Sequence, residues 1–94
     1  MNVIWSPTAL RHLEELCDYI ARDSPKAAAA MADRITATAE LLSKQPYLGR
    51  AGRISGTREL VIAGTPYIVP YRFRRDYVEL IAVFHGRQNW PDDF

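Results

Sequence analysis

The spacing of apolar residues changes once along this chain, from a helical period to a strand period. Up to Leu42 apolar side chains recur every three or four residues, as they do in amphipathic helices. From Arg58 onward they alternate with polar ones, as in half-buried strands. Between the two halves, residues 47–57 (YLGRAGRISGT) carry three glycines and two arginines, which is typical of a loop. The pattern therefore predicts a helical half followed by a sheet half.

Two Ser-Pro pairs mark the expected helix starts. Ser6-Pro7 and Ser24-Pro25 each supply a capping hydroxyl followed by proline at the first helical position. The first helix is expected to run for about 17 residues, and only about two residues separate it from the second, so the pair should form an antiparallel hairpin. The apolar stripe expected in the core comprises Leu13, Leu16, Ile20, Met31 and Ile35.

Four segments have the alternation of strands: residues 2–5, 58–63, 67–74 and 77–85. The order β-α-α-β-β-β predicts one α+β domain over residues 1–94, with a helical hairpin packed on a mainly antiparallel sheet. Pro70 has no N–H to donate, so the third of these strands requires an edge position or a bulge at that residue.

Length and cysteine usage limit the class of protein. A chain of 94 residues makes one small domain that cannot enclose a deep cofactor pocket. The single Cys17 rules out an internal disulfide, and no membrane span or signal peptide is evident, so we expect a cytoplasmic protein without membrane association. One cysteine and two distant histidines do not make a zinc site, and no phosphate-binding glycine loop appears, so neither metal nor cofactor is expected.

Positive charge is concentrated in the sheet half. The net charge is only +1, yet residues 48–87 contain seven arginines against three acids. The arginine fork suits phosphate and carboxylate groups, which leaves two interpretations open: a solvated sheet edge, or a surface for phosphates or an acidic partner. Because two helices can cover only one face of the sheet, the second face is expected to expose a mixed apolar and arginine surface of the kind that binds a partner.

Four stretches of the sequence together resemble a known family. They are SPTALRHLEELCDYIARDSPKAA, QPYLGR, RELVIAGTPYIVPYRF and VELIAVFHGRQNWP. In their order and spacing they resemble the RelE/ParE superfamily of toxins from type II toxin–antitoxin modules, over roughly residues 2–91. The last two stretches favour the ParE-like branch.

The resemblance implies one of two activities. ParE-like members inhibit DNA gyrase and have no established active site, whereas RelE-like members cleave mRNA on the ribosome. Both kinds are neutralised by a cognate antitoxin. An acidic antitoxin and DNA gyrase are therefore the expected partners, with the ribosome and mRNA as the alternative. A degenerate member that only binds its antitoxin is a third possibility.

Candidate site residues follow from these alternatives. Antitoxin contacts are expected on the second face, at Arg72, Arg74, Ile81 and Val83. A nuclease would need an acid or base and cations near the reacting phosphate, and its candidates are Arg58, Arg72, His85 and Arg87. The other imidazole, His12, is expected on the exposed side of the first helix. A net charge of +1 is low for a protein that docks among ribosomal phosphates, so His85 is expected to serve a partner surface rather than catalysis.

Overall fold

A hairpin of two helices packs against one face of a six-stranded sheet in the computed structural model, which describes all 94 residues. The helices are α1 (Pro7–Ala21) and α2 (Pro25–Glu40), and a 3-10 turn (Leu41–Ser43) follows α2. The strands are β1 (Asn2–Trp5), β2 (Arg50–Ala51), β3 (Arg58–Val61), β4 (Tyr67–Phe73), β5 (Tyr77–Leu80) and β6 (Phe84–His85). The predicted α+β fold is confirmed, with two differences: β2 lies inside the expected loop, and the last strand is divided in two.

Both helices begin where the Ser-Pro pairs predict. The hydroxyl of Ser6 accepts a hydrogen bond from the backbone N–H of Ala9, and that of Ser24 accepts one from Ala27, each at 3.0 Å. Each hydroxyl satisfies a backbone donor that the first helical turn would otherwise leave unpaired. Helix α1 spans 15 residues, slightly fewer than expected.

The strands follow the order β1-β5-β4-β3-β2, and β6 pairs with β4 beyond the end of β5. Strand β1 runs parallel to β5, and every other pairing is antiparallel. The mainly antiparallel sheet is thus confirmed. Neither α1 nor α2 has the length and apolar character that a membrane span requires.

The main core lies between the helices and the face of the sheet that they cover, here called the first face. Tyr71, Val69 and Leu80 project from the sheet into this core and are fully buried. From the predicted helical stripe, Ile35 is fully buried, while Leu13, Leu16 and Met31 are half-buried and pack against the same core.

A buried tyrosine connects this core to the loop that follows the helices. The hydroxyl of Tyr71 donates to the carbonyl of Pro46 at 2.8 Å and accepts from the N–H of Gly49 at 2.9 Å. A side chain at position 49 would place its Cβ 2.6 Å from the Tyr71 ring, so the close approach requires glycine.

The prediction of one continuous strand over residues 77–85 is wrong. Tyr71 pairs with Leu80 and Ile68 pairs with Phe84. Two residues of β4 therefore face three residues of the neighbouring chain, 81–83, which is a bulge of one residue. The bulge lies opposite Pro70, whose carbonyl accepts from the N–H of Ile81 at 2.9 Å. Of the two alternatives expected for Pro70, an edge position or a bulge, the structure has the bulge.

The bulge reverses the predicted faces of the last strand, because a shift of one residue moves every following side chain to the other face. Val83 joins the main core and His85 lies opposite Tyr67 on the first face. Phe84 lies opposite Ile68 on the second face. The predicted grouping of Val83 with Arg72 on the second face is therefore wrong.

Candidate functional site

Two arginines on the second face share one carboxylate. Arg72 lies directly across from Glu79 in the pairing of β4 with β5. Oε1 of Glu79 accepts from Nε of Arg72 at 2.7 Å and from Nε of Arg74 at 3.2 Å. Burial raises the pKa of Glu79, but the hydrogen bond and charge of Arg72, together with those of Arg74, outweigh it and lower the pKa below its ordinary value. The cluster keeps one unneutralised positive charge, and the Arg74 side chain is 45% exposed.

A second carboxylate on this face organises the loop before β3. The side chain of Glu59 is only 3% exposed and forms ion pairs with Arg50 and Arg53, each at 3.1 Å. It also accepts from the backbone N–H of Arg53 at 2.8 Å. Burial raises the pKa of Glu59, and the hydrogen bonds from Arg53 and Arg50 outweigh this effect, so the pKa lies below its ordinary value. Glu59 therefore holds the loop against the sheet as a carboxylate.

Residues 86–94, here called the closing segment, follow β6 and pack two aromatic rings on the second face. The guanidinium of Arg53 lies 3.5 Å from the ring centre of Trp90, a close cation–π contact. Trp90 packs on Phe84 with ring centres 4.9 Å apart, and Phe94 stacks on Phe84 at 6.1 Å. Aromatic contacts of this kind stabilise by burying area and by favourable ring geometry. The part of the second face around Phe84 is thus covered by the protein's own aromatic residues.

Of the mixed apolar and arginine surface expected on the second face, the arginines are accessible, but the expected apolar residues are buried. Ile81 is 7% exposed and belongs to a small cluster with Ala82, Phe84 and Trp90. Val83 is 6% exposed in the main core. Of the four predicted antitoxin contacts, only Arg72 and Arg74 present accessible surface in the free protein.

Arg58 lies on the first face, at the end of the sheet near the loop. It pairs with Tyr71 across β3 and β4. Its guanidinium donates to the carbonyl of Gly49 at 2.9 Å and to that of Tyr47 at 3.2 Å, and it lies over the Tyr47 ring. Through these contacts the Arg58 side chain holds the loop that follows the helices.

His85 borders a cleft of about 350 Å³ between α1 and the end of the sheet. The cleft is also lined by His12, Tyr19, Tyr67 and Glu15. Nδ1 of His85 accepts a hydrogen bond from the backbone N–H of Arg87 at 3.1 Å. In its neutral form the ring therefore carries its proton on Nε2. The cleft brings together two imidazoles and two phenols.

The expectation that His12 is exposed is wrong. It is half-buried, and its Nδ1 accepts from the backbone N–H of Val83 at 3.2 Å, within the bulge. Burial lowers its pKa, and the charge of Arg11 lowers it further. A sequence signal existed, because His12 lies three residues after Ala9 and four before Leu16, on the side of α1 that faces the sheet.

The four candidate nuclease residues do not all converge, although Arg87 is a neighbour of His85. Arg58 pairs with Tyr71 and His85 pairs with Tyr67, positions four residues apart on β4, which separates them by about 13 Å along the strand. Arg72 lies on the opposite face, and Arg87 is exposed in the turn after β6. No three His, Cys, Asp or Glu side chains come together as a metal site.

Comparison with known proteins agrees with this fold. The family model described as "ParE toxin of type II toxin-antitoxin system, parDE" matches residues 3–90. "Putative toxin Y4kP" of Sinorhizobium fredii is 49% identical over 90 residues, which cover 96% of this chain and 93% of that protein. "Toxin RelE2" of Caulobacter vibrioides is 35% identical over 85 residues, covering 90% and 94%.

A solved structure titled "Chromosomal ParDE TA system from P. aeruginosa" has the same fold, with a TM-score of 0.83 at 20% identity, over 90% of this chain and 95% of that one. The chain belongs to the ParE toxin family of type II toxin–antitoxin systems. The ParE-like membership expected from the sequence is thereby confirmed.

Proposed function

We propose that the protein inhibits DNA gyrase, in the cytoplasm, and is neutralised by an acidic cognate antitoxin. The observation that carries the choice of target is the separation of the candidate nuclease residues. Arg58 and His85 lie at different ends of the first face, and Arg72 lies on the second. A phosphoryl-transfer site needs an acid or base and cations within hydrogen-bonding reach of one phosphate. A toxin that acts by occupying a surface of its target has no such requirement.

Ribosome-dependent mRNA cleavage is the second candidate, and one feature favours it. The cleft beside β6 holds His12 and His85, which could divide the roles of base and acid. The relative from Caulobacter vibrioides also carries the name RelE2. Against this activity, Arg58 and Arg72 are bonded within the protein and lie away from the cleft.

Two assays with the purified protein separate the candidates. In the first, gyrase supercoils relaxed plasmid in the presence of increasing toxin, and we expect supercoiling to fall and cleaved plasmid to accumulate. In the second, primer extension maps cuts in an mRNA that is being translated by purified ribosomes, and we expect none. Cutting of the mRNA together with unaffected gyrase would reject the proposal and establish the ribonuclease.

The antitoxin part of the proposal rests on the arginine cluster around Glu79. Reversing the charge at Arg72 and Arg74 should weaken binding of the antitoxin by about 1–3 kcal/mol for each charge pair that becomes buried in the complex. Calorimetric titration measures this change. Charge reversal at Arg22, an exposed residue at the end of α1, is the control and should leave the affinity unaltered. Equal affinities for all variants would exclude the second face as the antitoxin surface.

A further inference from the structure

The end of the closing segment is attached to the sheet by few interactions. Residues 89–94 form no hydrogen bond and no ion pair with the rest of the chain. Beyond Trp90, the only aromatic contact is the stacking of Phe94 on Phe84. Residues 91–94 are therefore held mainly by the contact of the Phe94 ring.

Two cavities adjoin residues 91–94, and together they are here called the groove, with each cavity as one lobe. One lobe, of about 420 Å³, is lined by Arg72, Phe84, Pro91 and Phe94 among others. The other, of about 360 Å³, is lined by Arg72, Arg74, Asp93, Phe94 and the loop residues 54–57. Arg72 and Phe94 line both lobes, so the two lobes are neighbours.

The segment that lies on the groove shows which chemistry the groove accepts. Residues 91–94 read PDDF: two carboxylates followed by an aromatic ring. The ring stacks on Phe84, and Asp93 borders the lobe that contains Arg72 and Arg74. The arginines carry one positive charge more than Glu79 neutralises, and neither aspartate completes an ion pair with them. The groove thus offers the Phe84 ring beside an unneutralised arginine charge. Residues 91–94 contact the ring but form no ion pair with the arginines.

We propose that this groove is a docking site for an acidic segment of the antitoxin that carries an aromatic residue, and that residues 91–94 are a displaceable cover that lines it and holds the Phe84 ring in the free toxin. The assignment of the antitoxin as the partner rests on the proposed function. The competition between residues 91–94 and any ligand of the groove does not depend on it. An antitoxin segment whose carboxylates reach Arg74 would replace the ring of Phe94 and add the ion pairs that the cover lacks.

The magnitude follows from the population of the uncovered state. When a site is free for only a fraction of the time, the apparent dissociation constant is the intrinsic one divided by that fraction. If the groove is uncovered for about a tenth of the time, removing the cover raises the apparent affinity about tenfold. A substitution that removes the Phe94 ring should therefore tighten binding, although it deletes an apolar contact from the protein.

The test uses the full chain and a peptide probe. The probe has the sequence of residues 91–94, PDDF, and carries fluorescein on a flexible linker, so that anisotropy reports binding. We expect Phe94→Ala to bind the probe about tenfold more tightly than the wild type. Phe94→Tyr keeps a stacking ring and should behave as the wild type does. Equal affinity of the wild type and Phe94→Ala, with unchanged circular dichroism for both, would overturn the competition.

Two further variants test the chemistry of the groove in the Phe94→Ala background. Arg74→Gln should abolish the gain in affinity, whereas Arg75→Gln, in the adjacent turn and outside both lobes, should preserve it. Equal losses from the two variants would indicate general charge attraction and overturn the assigned site. The antitoxin itself should bind Phe94→Ala more tightly than the wild type, and unchanged antitoxin affinity would overturn the assignment of the partner. None of these measurements involves gyrase, so their failure leaves the proposed target to its own assays.

Discussion

Replacing Glu59 by glutamine should destabilise the protein strongly, because this side chain is a buried acceptor for two arginines. Its two oxygens accept five hydrogen bonds from Arg50 and Arg53. The amide of glutamine offers one oxygen and turns a donor toward guanidinium or backbone N–H groups. Breaking a fully buried ion pair costs about 3–5 kcal/mol. Here the arginine side chains are 56% and 43% exposed and can turn to water, so we expect a loss of about 2–3 kcal/mol.

Thermal and urea denaturation, followed by circular dichroism, measure this loss. For a domain of this size it corresponds to a fall in Tm of roughly 10–20 °C. Glu15→Gln is a matched control, because Glu15 pairs with Arg11 on the surface, where both side chains are more than 60% exposed. Such a pair contributes at most about 1 kcal/mol. If Glu59→Gln unfolds within about 0.5 kcal/mol of the wild type, the loop does not depend on this carboxylate.

The pH dependence of stability provides a second measurement on Glu59. Its folded-state pKa lies below the ordinary value of 4.5. The ionised carboxylate therefore makes its full contribution to stability at any pH above the pKa of Glu59 in the unfolded state. That contribution is lost as the pH falls through the pKa of Glu59 in the folded state. Wild-type stability should decline below about pH 4.5, and the Glu59→Gln variant should lose less over the same window because position 59 no longer titrates. Parallel curves would refute the reasoning.

Three further substitutions test other features of the fold and site. Tyr71→Phe leaves the N–H of Gly49 and the carbonyl of Pro46 without their buried partner. The free energy of unfolding, measured by urea denaturation, should fall by about 1–3 kcal/mol. An unchanged midpoint would show that water replaces the hydroxyl. Ile35→Ala empties a fully buried position and should cost about 2–5 kcal/mol by the same measurement; a loss below this range would mean that the core collapses around the missing side chain. His85→Gln should remain toxic when it is expressed without antitoxin, since a nuclease that used this imidazole would lose about 10²-fold or more in rate. Recovery of growth by a folded His85→Gln variant would favour the ribonuclease.

The order and type of the elements could be predicted because each depends on residues close together in the chain. The Ser-Pro pairs define both helix starts, and the caps form as expected. The alternation in residues 67–73 follows the pleat of β4, whose Val69 and Tyr71 face the core. These signals depend on periodicity and capping, and no long-range contact is needed to interpret them.

The contacts of the candidate site could not be predicted, because they join distant segments. Glu59 meets arginines from a loop that has no periodic pattern, and nothing local indicates that this acid is buried. The closing segment likewise lacks a helix or strand period, so no sequence pattern indicates that it packs on the second face. As a result the apolar residue Ile81, expected to be open to a partner, is covered by Trp90 and its neighbours.

A single extra residue opposite Pro70 decides which surface each functional candidate serves. Pro70 has no N–H to donate to the neighbouring chain. The extra residue at 81–83 therefore breaks no hydrogen bond that Pro70 would otherwise donate. Without the bulge, strict alternation would place His85 on the same face as Arg72, where a strand arginine and a strand-end imidazole could approach one phosphate. With the bulge, His85 turns to the helix side and Phe84 takes the second face, where it becomes the platform for the closing segment. The same feature that separates the candidate nuclease residues thus creates the aromatic surface proposed to receive a partner.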